Sequence, residues 1–276
     1  MGILITVMVA VNGGLTQHYG IYSATVIIHI VGLVLISAAV LIGREKPFAK
    51  RYAWFLYLGG AIGVMTTVFN NFAFGRISVS ALMALGLLGQ SVTGLIIDQF
   101  GLFKMPRHPF TKGKIVGLTL IIIGIGSMIN NFEVAAMVVS FAAGVNIVLS
   151  RTFNAKLSEQ TSVRTSTFYN YFIGLIVSIP VFLILGSGEV AGFVFAPLPS
   201  YWYIYLGGAL GVCVVFLGNI TALKVSAFYL TLLIFVGQVF SGVLIDMVLT
   251  GAMDPRNLIG GVLVAVGLTC NLILDR

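Results

Sequence analysis

Ten apolar runs, at residues 2–17, 22–43, 52–74, 77–99, 115–130, 132–150, 167–186, 201–223, 226–249 and 258–274, leave this chain little choice of solvent. A run of roughly 20 such residues is what a helix needs to cross about 30 Å of hydrocarbon, and fewer suffice where a helix is short. Of the 276 residues, 59 % are hydrophobic and 8 % are charged. Soluble domains carry roughly 25 % charged residues, so a water-exposed surface cannot be assembled from this supply. The expected fold is all-α: a polytopic membrane protein of about ten transmembrane helices, with the lipid bilayer as its main partner.

The breaks between runs carry helix-stopping chemistry. Arg44-Glu45-Lys46-Pro47 and Lys104-Met105-Pro106-Arg107-His108-Pro109 combine charge with proline, and Ser187-Gly188-Glu189 and Asp254-Pro255-Arg256 repeat the pattern later. Only Asn130-Asn131 separates the fifth run from the sixth. With ten spans, thirteen Lys and Arg residues fall on the side of the N-terminus, and only Arg76 and Arg256 fall on the other. The positive-inside rule then puts both termini in the cytoplasm. The net charge of +7 is thereby read as a topology signal, not as a nucleic-acid surface. No basic region or small-residue cleavage site precedes the first run, so that run is expected to be retained.

The sequence also repeats itself. Gly59-Gly60-Ala61-Ile62-Gly63-Val64 recurs as Gly207-Gly208-Ala209-Leu210-Gly211-Val212. At the same offset, Gly89, Gln90, Gly94 and Asp98 recur as Gly237, Gln238, Gly242 and Asp246, Asn71 recurs as Asn219, and Arg76-Ile77-Ser78 as Lys224-Val225-Ser226. With small changes of loop length, Val11-Asn12 aligns with Val145-Asn146, Gly32 with Gly174, and Gly117 and Gly124 with Gly260 and Gly267. The division is a first five-helix repeat at 1–131 and a second at 132–276. An odd number of spans per repeat inverts the second in the membrane. Charge agrees: the loop at 44–51 is basic and its counterpart at 187–200 has no Lys or Arg, while 16–21 has none and 151–166 has three. Inverted repeats are the architecture of alternating access, with solute held near the midplane.

Two five-span halves resemble the drug/metabolite transporter superfamily. Ala10-Val11-Asn12-Gly13-Gly14-Leu15, the Gly89-Gln90 helix ending at Asp98, and Phe100-Gly101-Leu102-Phe103 resemble its YdcZ-like family, here as a fused tandem covering essentially the whole chain. The resemblance implies an exporter-like carrier of a bacterial-type inner membrane, a plasma membrane. It also implies helices 1–4 and 6–9 around a cavity, with 5 and 10 peripheral. The small multidrug resistance branch is built around a glutamate in its first helix. Here that helix holds no acid, and Asn12 is its main polar group.

Polar groups inside hydrocarbon are costly unless they face protein or water, so each is a candidate site. Gln90, Gly94 and Asp98 are spaced for one helix face, and Gln238, Gly242 and Asp246 repeat the stripe. The glutamines either contact substrate or join spans 4 and 9 by hydrogen bonds. Asp98 and Asp246, near span ends, are candidates for gating or coupling, or else pair with basic residues at the interface. Asn12 and Asn146 offer amide donors and acceptors suited to a neutral or zwitterionic solute, or to helix packing. His29, whose place in the second half is taken by Tyr171, is the candidate for proton sensitivity or a structural histidine. Asn71 and Asn219, near span ends, suit capping or interfacial solvation. Substrate-binding candidates are thus Gln90, Gln238, Asn12, Asn146, His29 and Tyr171.

No nucleotide loop, metal-ligand spacing or nucleophile constellation appears, and Cys213 and Cys270 sit singly within apolar runs. The expectation is therefore no enzyme, no cofactor, no metal and no nucleic-acid partner. The chain should be a monomer or homodimer that moves a small organic metabolite down or against a gradient, as a secondary transporter and exporter. A non-transporting structural or enzymatic membrane component is the rival reading.

Overall fold

The structure, a computed structural model, describes residues 1–104, 107, 113–128, 133–190, 201–252 and 254–274. The junction Asn130-Asn131, the 191–200 part of the seventh break, Pro106, His108, Pro109, Lys112 and Arg276 lie outside the described residues. Within them the chain is all-α, with ten α-helices in the order expected: α1 (Gly2–Tyr19), α2 (Ile21–Ile42), α3 (Leu58–Ala73), α4 (Val79–Phe100), α5 (Gly113–Met128), α6 (Val134–Gln160), α7 (Val163–Leu185), α8 (Leu206–Ala222), α9 (Ala227–Thr250) and α10 (Pro255–Leu274). Seven of these segments are long and apolar enough to cross a membrane, and α5 and α10 contribute shorter apolar stretches, Thr119–Met128 and Pro255–Gly267. The protein is a polytopic helical membrane protein. Large apolar side chains such as Leu41, Ile42, Ile184 and Val248 remain exposed, as faces turned to lipid require.

Most helix ends lie within a few residues of the hydropathy boundaries, and the reason is visible in the caps. Ser78 and Ser226, at one offset from each other, accept backbone N–H bonds from Ala81 (3.2 Å) and Tyr229 (3.4 Å) at the starts of α4 and α9. Those same helices stop at Gly101 and Gly251, both left-handed, with φ 61° and 74°. The loop expected at 151–166 is a correction. Helix α6 continues to Gln160 and α7 begins at Val163, leaving Thr161 and Ser162 between them. Hydropathy marks where hydrocarbon ends, not where a helix ends. Nothing between Arg151 and Gln160 breaks a helix, and Ser162 then caps α7 by accepting from Thr165 N (3.0 Å).

Two compact units result, and they are not the two sequence halves, since each takes spans from both. Unit one comprises 1–7, 73–148 and 225–276. Its core joins Ala84, Leu87, Ile121 and Ile125 to Phe228, Phe235, Val239 and Val264. Helices α5 and α10 cross so closely that a side chain at Gly124 would strike the Gly260 carbonyl, and one at Gly267 the Gly117 carbonyl. The pairing of 124 with 260 and 117 with 267 makes the two helices antiparallel. Because lipid is as apolar as leucine, such close packing and interhelical hydrogen bonds must hold spans together.

Unit two comprises 8–72 and 149–224. One aromatic cluster gathers Ile36, Val40, Leu56, Leu157, Phe168, Tyr169, Tyr171 and Val212, and another gathers Leu15, Tyr19, Ala24, Ile28 and Ile204. Contacts in this unit come in matched pairs. Gly60 meets Asn170 as Gly208 meets Ile28. The Asn71 amide donates to Thr25 Oγ1 (3.3 Å) as the Asn219 amide donates to Thr167 Oγ1 (3.2 Å). Asn71 and Asn219 are therefore buried interhelical bonders, at 3 % and 1 % exposure, not interfacial caps.

Candidate functional site

In unit one the sequence singled out Gln90, Gln238, Asn146, Asp98 and Asp246. The two aspartates are helix caps. Asp246, at the end of α9, accepts Val79 N–H (2.6 Å) and Ser80 N–H (2.9 Å) at the start of α4. Reciprocally, Asp98 at the end of α4 accepts Phe228 N–H (3.0 Å) at the start of α9. A carboxylate suits the positive end of a helix dipole and satisfies orphan donors there. The exchange fixes α4 and α9 as antiparallel partners and keeps the two acids at opposite ends of the pair. Arg107, close to Asp98 in sequence, donates to the Gln99 carbonyl instead (2.9 Å).

Each glutamine sits at a helix crossing. Gly144 of α6 presses on the Gly86 carbonyl and Gln90 N, and Gly2 of α1 presses in the same way on the Ile234 carbonyl and Gln238 N. Thr6 Oγ1 donates to the Gln238 carbonyl (3.1 Å). Gln238 Oε1 and Asn146 Nδ2, both buried atoms, have no partner among the described residues. Gln90 is 1 % exposed and Gln238 2 %.

In unit two, α2 and α7 bring His29 and Tyr171 together, with ring centroids 5.8 Å apart. A side chain at Gly32 would strike the Tyr171 ring, and one at Gly174 the His29 ring. The helices are thus antiparallel, and each ring lies over the other's glycine. His29 stands about 12 Å from the start of α2 and Tyr171 about 12 Å from the start of α7 at 1.5 Å per residue, near the middle of each 22- or 23-residue helix. His29 Nδ1 lies 2.7 Å from the Thr25 carbonyl. A carbonyl only accepts, so Nδ1 carries the proton and Nε2 is left as an acceptor toward Gly174.

Asn12 lies against Gly207, and its Oδ1 has no partner among the described residues. The residue that occupies the corresponding place in the second half is Asn154, which lies against Gly59. The pairing of Asn12 with Asn146 is therefore replaced by Asn12 with Asn154. The Val-Asn dipeptide at 145–146 is a local coincidence. The offset relating Gly32 to Gly174 and His29 to Tyr171 also carries Asn12 to Asn154, and the glycine contacts fix that register.

Asn154 Nδ2 donates to Asn170 Oδ1 (2.8 Å) and, more weakly, to Ser150 Oγ (3.4 Å), while Ser150 Oγ donates to the Gly59 carbonyl (2.8 Å). Two carboxylates complete the unit. Glu189 accepts from Ile21 N (2.9 Å), Tyr22 N (3.0 Å), Ser23 N (2.9 Å) and Ser23 Oγ (3.1 Å) at the start of α2. It presses against Gly20, whose φ of +93° and crowding leave no room for a side chain. Glu45 accepts from Ser162 Oγ and Thr165 Oγ1 at the start of α7, with Arg164 at 3.4 Å. Partial burial pushes the Glu45 carboxyl up, but the Ser162, Thr165 and Arg164 bonds and the Arg164 charge outweigh it and hold the group below its ordinary value. Sequence reasoning missed Asn154, Asn170, Glu45 and Glu189 as functional positions. The signal available was position: a single glutamate follows span 2 and a single glutamate follows span 7 before the next span.

Comparison with known proteins adds to this geometry. One solved crystal structure superposes with TM-score 0.71 at 15 % identity, covering 100 % of this chain and 96 % of that one, which shows the fold alone. No curated protein matches the chain. The model of the family described as "Putative inner membrane exporter, YdcZ" matches residues 1–126 and 135–270. With nearly all of its length matched, the chain belongs to the YdcZ family of the drug/metabolite transporter superfamily.

Proposed function

We propose that this protein is a secondary transporter, working as an exporter, that carries a small organic solute across a bacterial-type inner membrane by alternating access. The observation that carries the reading is the matched set of contacts. Glu45 capping the start of α7 answers Glu189 capping the start of α2, Asp98 capping the start of α9 answers Asp246 capping the start of α4, and His29 over Gly174 answers Tyr171 over Gly32. Two inverted five-helix repeats, meeting near residues 131 and 132, account for such antiparallel pairs, and the family's printed description supports export. The positive-inside charge split supports both termini in the cytoplasm.

In this scheme His29, Tyr171 and Asn12 of unit two contact the solute. The unpartnered amide atoms of Gln238 and Asn146 in unit one, with Gln90 beside them in sequence symmetry, are further contact positions in that unit. Asp98 and Asp246 act as caps that keep α4 and α9 together, and gating falls to other groups. The test is flux. Purified protein in liposomes should move members of a metabolite panel saturably and show exchange. A tight vesicle that admits none of them, with or without a proton gradient, overturns the carrier reading. Unsaturable flux without exchange replaces it with a channel.

A further inference from the structure

One end of unit two carries charge that no carboxylate there balances. Between α2 and α3, Arg44, Lys46, Lys50 and Arg51 are exposed, and their side chains make no ion pair or hydrogen bond among the described residues. The carboxylates at this end are already engaged, Glu45 with Ser162, Thr165 and Arg164, and Glu159 with Lys156 (3.1 Å). The matched segment of the second half is different. Residues 186–200 contain no Lys or Arg, although Trp202 that follows them is as open as Trp54 (68 % and 75 % exposed). Aromatic side chains thus mark both segments, and cations only one.

The basic segment is braced against the protein. Phe48 sets its ring edge-on to Phe168, Tyr169 and Phe172 of α7, with centroids 5.6, 5.8 and 5.5 Å away. Tyr169 Oη donates to the Pro47 carbonyl (2.9 Å), and Tyr52 N donates to Tyr57 Oη (3.3 Å). Helix α2 ends with Glu45 N–H on the Val40 carbonyl (3.1 Å) and Arg44 N–H on the Leu41 carbonyl (3.0 Å), the crossed bonds of a Schellman stop. The left-handed residue of that motif is usually glycine, and here it is Arg44, with φ 53°. A side chain is unfavourable in that conformation, and no bond of the Arg44 guanidinium to a described residue offsets it. Topology asks only for positive charge on this side, in any conformation. It does not ask for four cations on a braced segment, one of them at a glycine position.

Exposed apolar side chains adjoin these cations in the chain. Leu41 and Ile42 at the end of α2 are 74 % and 85 % exposed, and Trp54 and Phe55 lead into α3. Cations beside open hydrocarbon match a ligand whose anionic head is joined to acyl chains. We propose that residues 41–55 form a binding surface for an anionic phospholipid, with its phosphodiester held by the four cations and its acyl chains against Trp54 and the neighbouring apolar side chains. A free phosphate would use the cations and leave the apolar strip without a role. The assignment goes beyond the carrier reading and does not depend on it.

The protein carries its own reporters, because Trp54 and Trp202 are its two tryptophans. Trp202→Phe leaves Trp54 to report on the basic segment, and Trp54→Phe leaves Trp202 to report on the uncharged one. Each full-length variant is reconstituted in vesicles of phosphatidylcholine and phosphatidylglycerol, with bromine on the acyl chains of one lipid or the other, and quenching of the tryptophan gives the relative affinity of the two lipids at that place. Trp54 should prefer phosphatidylglycerol about fivefold or more, the worth of one fully engaged cation, and Trp202 should show no preference. Adding Lys46→Gln, Lys50→Gln and Arg51→Gln to the Trp54 reporter should bring its preference close to one. These side chains are exposed, and ten of the thirteen cations on this side remain to hold the orientation. Equal quenching of Trp54 by both brominated lipids overturns the assignment. So does a preference that survives the three substitutions, or one that Trp202 shares in full. Loss of the preference on adding glycerol phosphate, but not chloride at equal ionic strength, would replace the lipid by a free phosphate ligand.

Discussion

Replacing Asp246 by alanine removes the acceptor of two buried backbone N–H groups at the start of α4, while Ser78 still caps Ala81. Hydrogen bonds to a charged group contribute about 1.5–3 kcal/mol and a lost cap costs about 0.5–2 kcal/mol. Polar contacts between membrane helices average nearer 0.6 kcal/mol, because the unfolded chain in lipid finds other partners. Weighing these, Asp246→Ala should destabilise by about 2–3 kcal/mol. Asp98→Ala removes one N–H acceptor in place of two and should cost about 1–2 kcal/mol by the same figures. Asp246→Asn keeps an acceptor for one of the two N–H groups and turns an NH2 donor toward the other, so it should cost about 1–2 kcal/mol, nearer the loss of one acceptor. The two acids stand at opposite ends of a 22-residue helix, so the double alanine variant should show nearly additive losses. Equilibrium unfolding of purified protein in mixed micelles, followed by circular dichroism, measures all four. An Asp246→Ala variant within about 0.5 kcal/mol of the wild type would refute the capping argument. An asparagine variant of normal stability that no longer transports would show instead that the proton itself is needed.

Other expectations follow from the same contacts. Gly174→Ala drives a methyl into the His29 ring and should destabilise by about 1–3 kcal/mol, and His29→Ala in the same chain should recover much of that loss. Gln90→Leu and Gln238→Leu should abolish transport with limited loss of folding, and full transport by both would reassign them to the crossings with α6 and α1. Glu45 is held below its ordinary value by Ser162, Thr165 and Arg164. Its contribution to stability should therefore be complete above the unfolded-state value and be lost as pH falls through the lower folded-state value. Unfolding midpoints measured from neutral to acid pH should fall less steeply in Glu45→Gln than in the wild type, and parallel curves would refute the assignment.

Much of this protein was written in the order of its residues. Membrane residence follows from runs of apolar side chains that no amount of folding can hide, and helix number follows from the length needed to cross hydrocarbon. The relation of Gly59 to Gly207, Asn71 to Asn219 and Asp98 to Asp246 was legible because residue types at constant spacing survive without any knowledge of contacts. Family membership was legible for the same reason.

What remained hidden were the partners. The carboxylate of Asp246 meets N–H groups 166 and 167 positions away, and Asp98 meets one 130 away. Local sequence offered only nearby lysine and arginine as companions. Asn154 fell in what hydropathy marks as a loop, because polar residues end an apolar run without ending a helix. Its role as counterpart of Asn12, and its bond to Asn170, arise only when α3, α6 and α7 pack against one another. Backbone donors at helix starts are common to every sequence and leave no mark in it. Which side chain satisfies them is decided by packing alone.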